Sequence, residues 1–330
     1  MTRHARPAGA KLTLWGLLEV ASVLCCAASA TRFLARQWWV FELTSHFPEH
    51  AGMALCALAA IWALRRRWKL AIVCSLGLVV HGAVVVAAYW PSRQEDASVG
   101  VARLRILSIN VHSQNERTDL VLEVIKSTDA DVVLLMEVNQ RWLKALAPLS
   151  ARYPHRVSKT REDNFGIALY SRLPLDQARV ITLGEARVPS ITADVLVGEA
   201  PIFLLGTHPL PPATAKLAAE RNEQLARIAE HLRGAREPKL ILGDLNVTPG
   251  SPYFSDFVSD TGLVDTSRGR GRFGTWPAGL PVGRIALDHC LVSPSLRVVD
   301  KRIGPQVGSD HLPIFVELEL PAAKRSAEAR

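Results

Sequence analysis

The spacing of apolar residues divides this 330-residue chain into two parts. Before residue 91 there are two long apolar runs, at 12–30 and 70–90, and each is close to the roughly 20 residues that a helix needs to cross a membrane. The run between them, at 51–64, is shorter and would span only if its helix continues through the cations that follow. The pattern therefore predicts a membrane region over 1–90, with three helices at 12–30, 49–66 and 70–90.

From residue 103 onward the pattern changes to short apolar runs that alternate with polar helical stretches. Runs such as "LRILSINV", "DVVLLMEV", "PIFLLGTHP" and "KLILGDLN" have the length and composition of buried strands. Amphipathic spacing predicts helices at 118–126, 140–147 and 214–233. We therefore expect an α/β domain over 103–320, preceded by a charged, turn-rich linker at 91–102 and followed by a basic tail at 321–330.

The positions of the cations predict how the membrane region is oriented. Arg3, Arg6 and Lys11 precede the first run, and the cluster at 65–69 joins the second to the third. Since cations favour the cytoplasmic side, three spans would place the α/β domain outside the cytoplasm, at a bacterial inner membrane. Two spans would reverse this. A cleaved signal peptide is the alternative for the first run, but Glu19 interrupts it and a second strong span follows.

Net charge and cysteine content exclude several classes of function. The chain carries a net charge of +8, yet residues 101–320 contain 26 Lys and Arg against 25 Asp and Glu. The basic excess therefore reflects membrane orientation rather than a broad surface for binding polyanions. Four of the five cysteines lie in the apolar runs and Cys290 is alone in the α/β domain, which excludes a disulfide framework and a thiolate metal site there.

Polar residues follow the apolar runs at the points where several of the predicted strands end. Side chains at strand ends can converge on one edge of a sheet. Singly, each has an ordinary explanation as a turn former, a cap or a satisfied polar residue. Together they supply oxygen ligands suited to a hard cation and two imidazoles with a carboxylate partner. These residues are Asn110, Glu137, His208, Asp244, Asn246, Asp288, Asp310 and His311.

The order of short motifs resembles that of one enzyme family. The segments "SIN", "ME", "GIALYSR", "GTHP", "GDLN", "LDH" and "GSDHLP" follow one another as in the endonuclease/exonuclease/phosphatase superfamily, with its deoxyribonuclease I-like fold. The similarity covers about 103–320. It implies a four-layer αββα sandwich, in which two packed mixed sheets are flanked by helices. It also implies phosphoester hydrolysis assisted by Mg²⁺, with Mn²⁺ as an alternative ion.

The resemblance assigns the metal ligands. Glu137 would be the principal ligand, with Asn110 in the ligand shell directly or through water and Asp310 within its reach. A hard ion held by few protein oxygens leaves coordination positions for phosphate. Met136 departs from the glutamine that the family commonly has at that position, beside the ligand.

The resemblance also assigns the catalytic roles. Asp244 would align the attacking water while Asn246, two residues further along the same extended strand end, donates to a phosphate oxygen. His311 would pair with Asp288 and act as the base or as the stabiliser of the pentacovalent centre. His208 would be the acid on the leaving-group side. Abasic-site endonucleases have a tyrosine there, so the chain is more similar to the deoxyribonuclease and sphingomyelinase branches.

One basic segment, "SRGRGRFGTW", is a candidate for contacting the substrate. Its cations Arg268, Arg270 and Arg272 alternate with glycines and would meet the non-scissile part of an anionic substrate. A solvated, flexible loop is the alternative.

Three functions are compatible with these residues. The first is a membrane-anchored, Mg²⁺-dependent phosphodiesterase or phosphatase whose substrate is a lipid head group, nucleic acid or a soluble phosphoester. The second is an endonuclease or exonuclease acting on DNA, which the neutral charge of the domain disfavours. The third is a non-catalytic membrane-bound binding module, which is disfavoured because every polar role is filled. The sequence indicates no obligate protein partner.

Overall fold

The computed structural model describes residues 13–90, 102–198 and 200–320. The predicted cytoplasmic cations Arg3, Arg6 and Lys11, nearly all of the linker and the basic tail lie outside the described residues. The helices are α1 (Leu14–Thr31), α2 (Trp39–Thr44), α3 (Pro48–Leu64), α4 (Trp68–Tyr89), α5 (Thr118–Thr128), α6 (Gln140–Ala145), α7 (Ala215–Arg233) and α8 (Pro252–Thr261). The strands are β1 (Arg103–Asn110), β2 (Val132–Met136), β3 (His155–Lys159), β4 (Ile167–Ser171), β5 (Leu175–Thr182), β6 (Pro189–Val197), β7 (Ala200–Thr207), β8 (Lys239–Asp244), β9 (Val264–Asp265), β10 (Asp288–Val292), β11 (Arg297–Ile303) and β12 (Ile314–Glu319).

The strands form two six-stranded sheets that pack face to face. The first has the order β11-β12-β1-β2-β4-β3 and the second β5-β6-β7-β8-β10-β9. Both are mixed, because β1–β2 and β7–β8 are parallel pairs and the other pairs are antiparallel. Alternate side chains of the two sheets meet in a buried core that includes Ile106 and Leu134 of the first sheet and Ile191 and Leu242 of the second.

Helices cover the outer face of each sheet. α5 and α6 pack on the first sheet through residues such as Val121, Ile125 and Trp142. α7 and α8 pack on the second through residues such as Ile228 and Phe257. Amphipathic spacing explains why these helices bury one face. The predicted four-layer αββα sandwich is confirmed, and the three predicted helices of this part are present with bounds shifted by no more than two residues.

The N-terminal helices α1, α3 and α4 pack against one another. Their contact includes Leu55, Trp62 and Cys74, and the Trp62 indole Nε1 donates a 2.8 Å hydrogen bond to Ser22 Oγ. Large apolar side chains point outward from α1 and α4, including Leu24 and Leu76. Within the described residues one helix, Leu14–Leu34, is long and apolar enough to cross a membrane, whereas the apolar stretches Pro48–Leu64 and Trp68–Gly82 are shorter. Of the three predicted spans, the first therefore has the length and hydropathy to cross a membrane, and the second and third do not meet both criteria within the described residues.

The segment between α1 and α3 (residues 32–47, the connecting segment) is packed against the αββα domain. The carboxylate of Glu42 on α2 accepts two 2.6 Å hydrogen bonds from Arg221 Nη2 on α7, and both side chains are fully buried. Ser251 Oγ donates to the same carboxylate at 2.8 Å. A Cβ at Gly250 would lie 2.0 Å from the Ser45 carbonyl oxygen, so only glycine permits this close approach.

Candidate active site

The polar residues predicted from strand ends converge where the two sheets open. Asn110 ends β1 and Glu137 follows β2, its parallel neighbour, while Asp244 ends β8 of the other sheet. The Asn110 side chain links the sheets, since its Nδ2 lies 3.0 Å from Glu137 Oε1 and 3.4 Å from Asp244 Oδ2. Gly243 approaches the Thr207 carbonyl so closely, at φ 142°, that no side chain fits there.

Asp244 and Asp288 are directly opposite each other in the antiparallel pair β8–β10. His311 lies against both carboxylates. Its Nδ1 donates a 2.8 Å hydrogen bond to Asp288 Oδ2, and its Nε2 lies 3.5 Å from Asp244 Oδ2. All three residues are buried, so the structure brings together the predicted pair of His311 and Asp288 and adds Asp244 to it.

Burial and mutual charge shift the pKa values of these three groups. Burial disfavours the imidazolium, but Asp288 and Asp244 outweigh it and raise the pKa of His311 to about 10. Burial also raises the pKa of Asp244, to about 7, although His311 opposes this. For Asp288 the attraction of His311 and its hydrogen bond outweigh burial and lower the pKa. At neutral pH, Asp288 is therefore ionised and His311 is cationic.

His208 follows β7 and faces the same carboxylate. Its Nε2 lies 3.5 Å from Asp244 Oδ2, and the ring of Phe165 packs 5.3 Å from its own. Burial, followed by repulsion from His311, lowers the pKa of His208 to about 4. The imidazole is thus neutral at neutral pH.

Asn246 reaches the site by a different route from the one predicted. β8 ends at Asp244, and Asn246 has a left-handed backbone with φ 49°, so the two are not alternate residues of one extended strand. Its Nδ2 donates to the Pro209 carbonyl at 2.9 Å and its backbone N–H donates to Asp244 Oδ1 at 2.9 Å. The expectation of a shared strand face was wrong, because the chain turns immediately after the aspartate.

Glu137 and Asp310 complete the predicted metal site. Glu137 has a left-handed backbone at φ 62°, an unfavourable conformation for a non-glycine residue that is often found at functional sites. Its Oε2 accepts from the Ser113 backbone N–H at 3.1 Å. Asp310 is half exposed, and its Oδ2 accepts from Trp276 Nε1 at 3.2 Å. The carboxylate oxygens of Glu137 and Asp310 suit Mg²⁺, whereas Asn110 turns its amide nitrogen toward Glu137 and its Oδ1 toward the His112 backbone N–H.

A second group of potential ligands lies deeper. One atom each of Asp244, Asp288 and His311 fall within 4.8 Å of one another. The 2.8 Å hydrogen bond between His311 and Asp288 already occupies the imidazole Nδ1, and a cationic imidazole repels a metal ion. The oxygen donors around Glu137 are therefore the better candidates for the metal.

The site opens into a cleft of about 790 Å³. Its polar lining includes Glu137, His208, Asp244, Asp310 and His311. Much of its apolar lining comes from the connecting segment, the loop after β7 and the first turn of α7, and is called the apolar wall. This apolar wall consists of Trp39, Leu43, Phe47, Leu210, Pro211, Pro212 and Leu217. No Lys or Arg of the described residues lines the cleft.

The structure does not bring the predicted arginines to this cleft. Arg268 and Arg272 line a separate cavity of about 490 Å³ beneath the N-terminal helices. The Arg272 Nη2 lies 3.0 Å from His50 Nε2, and Arg270 Nη2 donates to the Val298 carbonyl at 2.6 Å. The two cavities share only His46 and Ile285 among their lining residues.

Several residues that line the site were not predicted from the sequence. Asn164 has φ 69°, accepts a hydrogen bond from Ser113 Oγ and lines the cleft; its place just before β4 in "EDNFG" was the available signal. Trp276, which contacts Asp310, lies in the arginine-containing segment. Trp39, Leu43 and Phe47 had no signal, because nothing in the sequence shows that the segment between two predicted membrane helices reaches the site.

Known structures share this fold at low sequence identity. The endonuclease/exonuclease/phosphatase protein of Beutenbergia cavernae superposes with a TM-score of 0.56 at 22% identity, covering 67% of this chain and 72% of that one. Truncated TDP2 of Caenorhabditis elegans gives 0.55 at 18% identity, covering 66% and 98%. The human Nocturnin catalytic domain, solved with a bound sulfate anion, gives 0.54 at 20% identity, covering 66% and 94%. A search of curated protein sequences found no match.

Sequence comparison with protein families agrees with the fold. The model of the Endonuclease/Exonuclease/phosphatase family matches residues 107–311, from β1 to the loop that carries His311. That range contains each residue of the site described above except those of the connecting segment. The chain is thus a member of the endonuclease/exonuclease/phosphatase family and a hydrolase of phosphoester bonds.

Proposed function

We propose that the chain is a membrane-anchored, Mg²⁺-dependent phosphoester hydrolase, a phosphodiesterase or phosphatase, that acts by in-line attack of water. The arrangement around Asp244 is the observation that carries this proposal. Its Oδ2 lies 3.5 Å from the imidazole nitrogens of both His208 and His311, among the polar residues that line the cleft. A carboxylate between a neutral and a cationic imidazole can orient water while donors remain available for phosphate.

Glu137, Asn110 and Asp310 would hold the metal ion. Mg²⁺ bound there would neutralise charge on the phosphoryl group and polarise it for attack, and Mn²⁺ could replace it. Asn110 also fixes the Glu137 carboxylate through the 3.0 Å hydrogen bond from its amide. Ser113 does the same from the opposite carboxylate oxygen, so both oxygens are oriented before an ion binds.

Asp244 is the better candidate for the general base. Burial raises the pKa of the Asp244 carboxyl group and so makes its carboxylate basic enough to accept a proton from water. His311 is cationic at neutral pH and cannot accept one. It would instead donate its Nε2–H to a phosphoryl oxygen and stabilise the charge that develops in the transition state. Asp288 maintains that cation through its 2.8 Å hydrogen bond.

His208 and Asn246 would bind the phosphoryl group and the leaving group. A pKa of about 4 leaves His208 neutral, so it holds no extra proton to release and acts through a single N–H donor. Asn246 uses one amide hydrogen on the Pro209 carbonyl and keeps the second for a phosphate oxygen. Arg221 Nη1 donates to the Asn246 carbonyl at 2.6 Å and fixes this turn.

A multi-pass anchor with the catalytic domain outside the cytoplasm of a bacterial inner membrane is part of this proposal, and the positions of the cations support its orientation. The turn after α3 lies beside the start of α1, because Arg67 Nη2 donates to Glu19 at 2.6 Å and Arg65 stacks on Trp15. The connecting segment and Tyr89 lie at the other end of the helices, against the catalytic domain. Cations at the end away from that domain favour the cytoplasm.

A substrate panel tests the hydrolase proposal. The detergent-solubilised full-length protein would be assayed with Mg²⁺ or Mn²⁺ on bis-p-nitrophenyl phosphate, plasmid DNA, sphingomyelin and inositol phosphates. We expect at least one to be hydrolysed, with loss of the activity in EDTA and in the isosteric variant Asp244→Asn. No hydrolysis with either metal, or unchanged turnover by Asp244→Asn, would contradict the proposal.

A further inference from the structure

We propose that the substrate is a lipid phosphoester that stays in the bilayer, and that the connecting segment supplies the surface that binds its apolar chain. This inference rests on the proposed function and narrows its substrate class. Its main observation is that Trp39, Leu43 and Phe47, which belong to the N-terminal region, line the same cleft as the candidate catalytic residues.

The composition of the cleft favours a substrate with one phosphoester and an apolar remainder. Its volume of about 790 Å³ is much greater than a phosphoryl group fills, and apolar residues make up much of its lining. Nucleic acids need cations along the path of their backbone, because affinity comes mostly from phosphate contacts. The described residues that line the cleft include no Lys or Arg, so a polynucleotide would find no partner for its flanking phosphates.

The connecting segment follows the first predicted membrane helix and also lines the cleft, so it joins the membrane surface to the site. Seven residues separate the end of α1 from the start of α2, and aromatic residues of the connecting segment remain accessible. Phe33 is 75% exposed and Phe47 40%. Aromatic side chains with this exposure beside a membrane helix are typical of the membrane interface. A lipid could therefore move its head group toward Asp244 while its chain stays in contact with apolar surface.

Buried polar contacts hold the connecting segment in place. The Glu42–Arg221 ion pair fixes α2 on α7, and His46 Nδ1 lies 3.0 Å from Thr248 Oγ1. Arg221 also donates to the carbonyl of Asn246, in the turn that follows Asp244. The apolar wall and the catalytic residues are therefore parts of one packed unit. An alkyl chain bound on the wall would hold its phosphoester at a fixed position beside the catalytic residues.

A chain-length series tests this inference. Two series of substrates, alkyl phosphates and alkyl p-nitrophenyl phosphates, would be compared below their critical micelle concentrations with the full-length protein in detergent. We expect kcat/KM to rise with chain length in at least one series, by up to about fourfold for each methylene buried on the wall. The series that responds distinguishes monoester from diester lipids, and a rise in either supports the inference.

Two neighbouring tryptophans provide a matched pair of variants. Trp39→Ala should reduce the ratio of kcat/KM for the longest to the shortest substrate by at least about tenfold. Trp38→Ala, outside the cleft, should keep the wild-type ratio. Leu43→Gln is the second variant, should Trp39→Ala not fold, and should also lower the ratio.

The outcomes separate this inference from the hydrolase proposal. No turnover of any phosphoester would mean that the proposed function fails. Turnover that is independent of chain length, equal effects of Trp39→Ala and Trp38→Ala, or faster hydrolysis of a single-stranded oligonucleotide than of the longest alkyl substrate would leave the hydrolase intact and overturn the lipid assignment.

Discussion

Asp244 and Asp288 face each other across the β8–β10 pair, and the imidazole of His311 contacts both carboxylates. Two buried carboxylates so close together would repel each other if both were ionised without a counterion. The cationic His311 opposes this repulsion and limits the rise that burial and Asp288 produce in the pKa of Asp244, which reaches about 7. The three residues are therefore one electrostatic unit.

The pairing of His311 with Asp288 predicts non-additive losses. Asp288→Asn and His311→Ala should each lower kcat by on the order of 10²-fold or more, and the double variant should be little worse, because either change removes the same cation. Steady-state kinetics on bis-p-nitrophenyl phosphate would measure the three variants. Multiplicative losses would mean that the two residues act separately.

The ion pair between Glu42 and Arg221 should contribute far more to stability than the exposed ion pair between Arg36 and Asp256. Both of its side chains are buried, and Glu42→Ala leaves an unpaired buried guanidinium, which should lower the free energy of unfolding by about 3 to 5 kcal/mol. Arg36 and Asp256 are 56% and 46% exposed, so Arg36→Ala should cost less than about 1 kcal/mol. Denaturant unfolding of the solubilised protein would compare them. Similar costs would argue against a buried attachment.

The attachment of the connecting segment should weaken in acid because of His46. Burial, followed by repulsion from Arg221, lowers the pKa of His46 to about 3, well below its ordinary value of 6.5. The unfolded chain therefore binds a proton that the folded chain rejects, so stability is complete above pH 6.5 and falls toward about pH 3. The slope is at most about 1.4 kcal/mol per pH unit.

The variant His46→Gln isolates this contribution, because glutamine keeps a polar contact for Thr248 but does not titrate. The difference in unfolding free energy between wild type and variant should shrink steadily as pH falls below 6.5. A difference that is independent of pH would show that His46 is protonated in the folded protein.

The orientation of the helices predicts the side of the membrane on which hydrolysis occurs. An alkaline phosphatase fusion after Leu320 should be active in a bacterial host and a green fluorescent protein fusion dark, since phosphatase needs oxidising conditions for its disulfides. Fusions after Arg67, in the cationic turn, are the matched control and should give the opposite pair of signals. A fluorescent fusion after Leu320 would place the catalytic domain in the cytoplasm.

Much of the catalytic domain could be predicted because its signals are local. Buried strands read as short apolar runs, and the polar residue that ends each run marks the sheet edge where the site forms, as at Asn110 and Asp244. Thr214 caps α7 through its side chain, so the start of that helix could also be predicted from the sequence. The ordered motifs supplied the rest, by resemblance to a family that the comparison of residues 107–311 confirms.

Contacts between distant parts of the chain could not be predicted. Glu42 and Arg221 are 179 residues apart, and neither has a sequence context that indicates its partner. The turn at Asn246 was missed because strand periodicity does not show where a strand stops. The composition of the segment with Arg268, Arg270 and Arg272 predicts a substrate contact, yet packing directs Arg272 toward His50 beneath the helices.

Glu137 is proposed to hold the divalent ion on which hydrolysis depends. The most direct measurement is a Mg²⁺ titration of bis-p-nitrophenyl phosphate hydrolysis by the full-length protein and by Glu137→Gln, with circular dichroism to check that the variant folds. We expect a wild-type activity that EDTA abolishes and Mg²⁺ restores, and a folded variant that retains less than about a hundredth of that activity at the same Mg²⁺ concentration. A folded Glu137→Gln variant with near-normal turnover and an unchanged Mg²⁺ dependence would contradict this assignment.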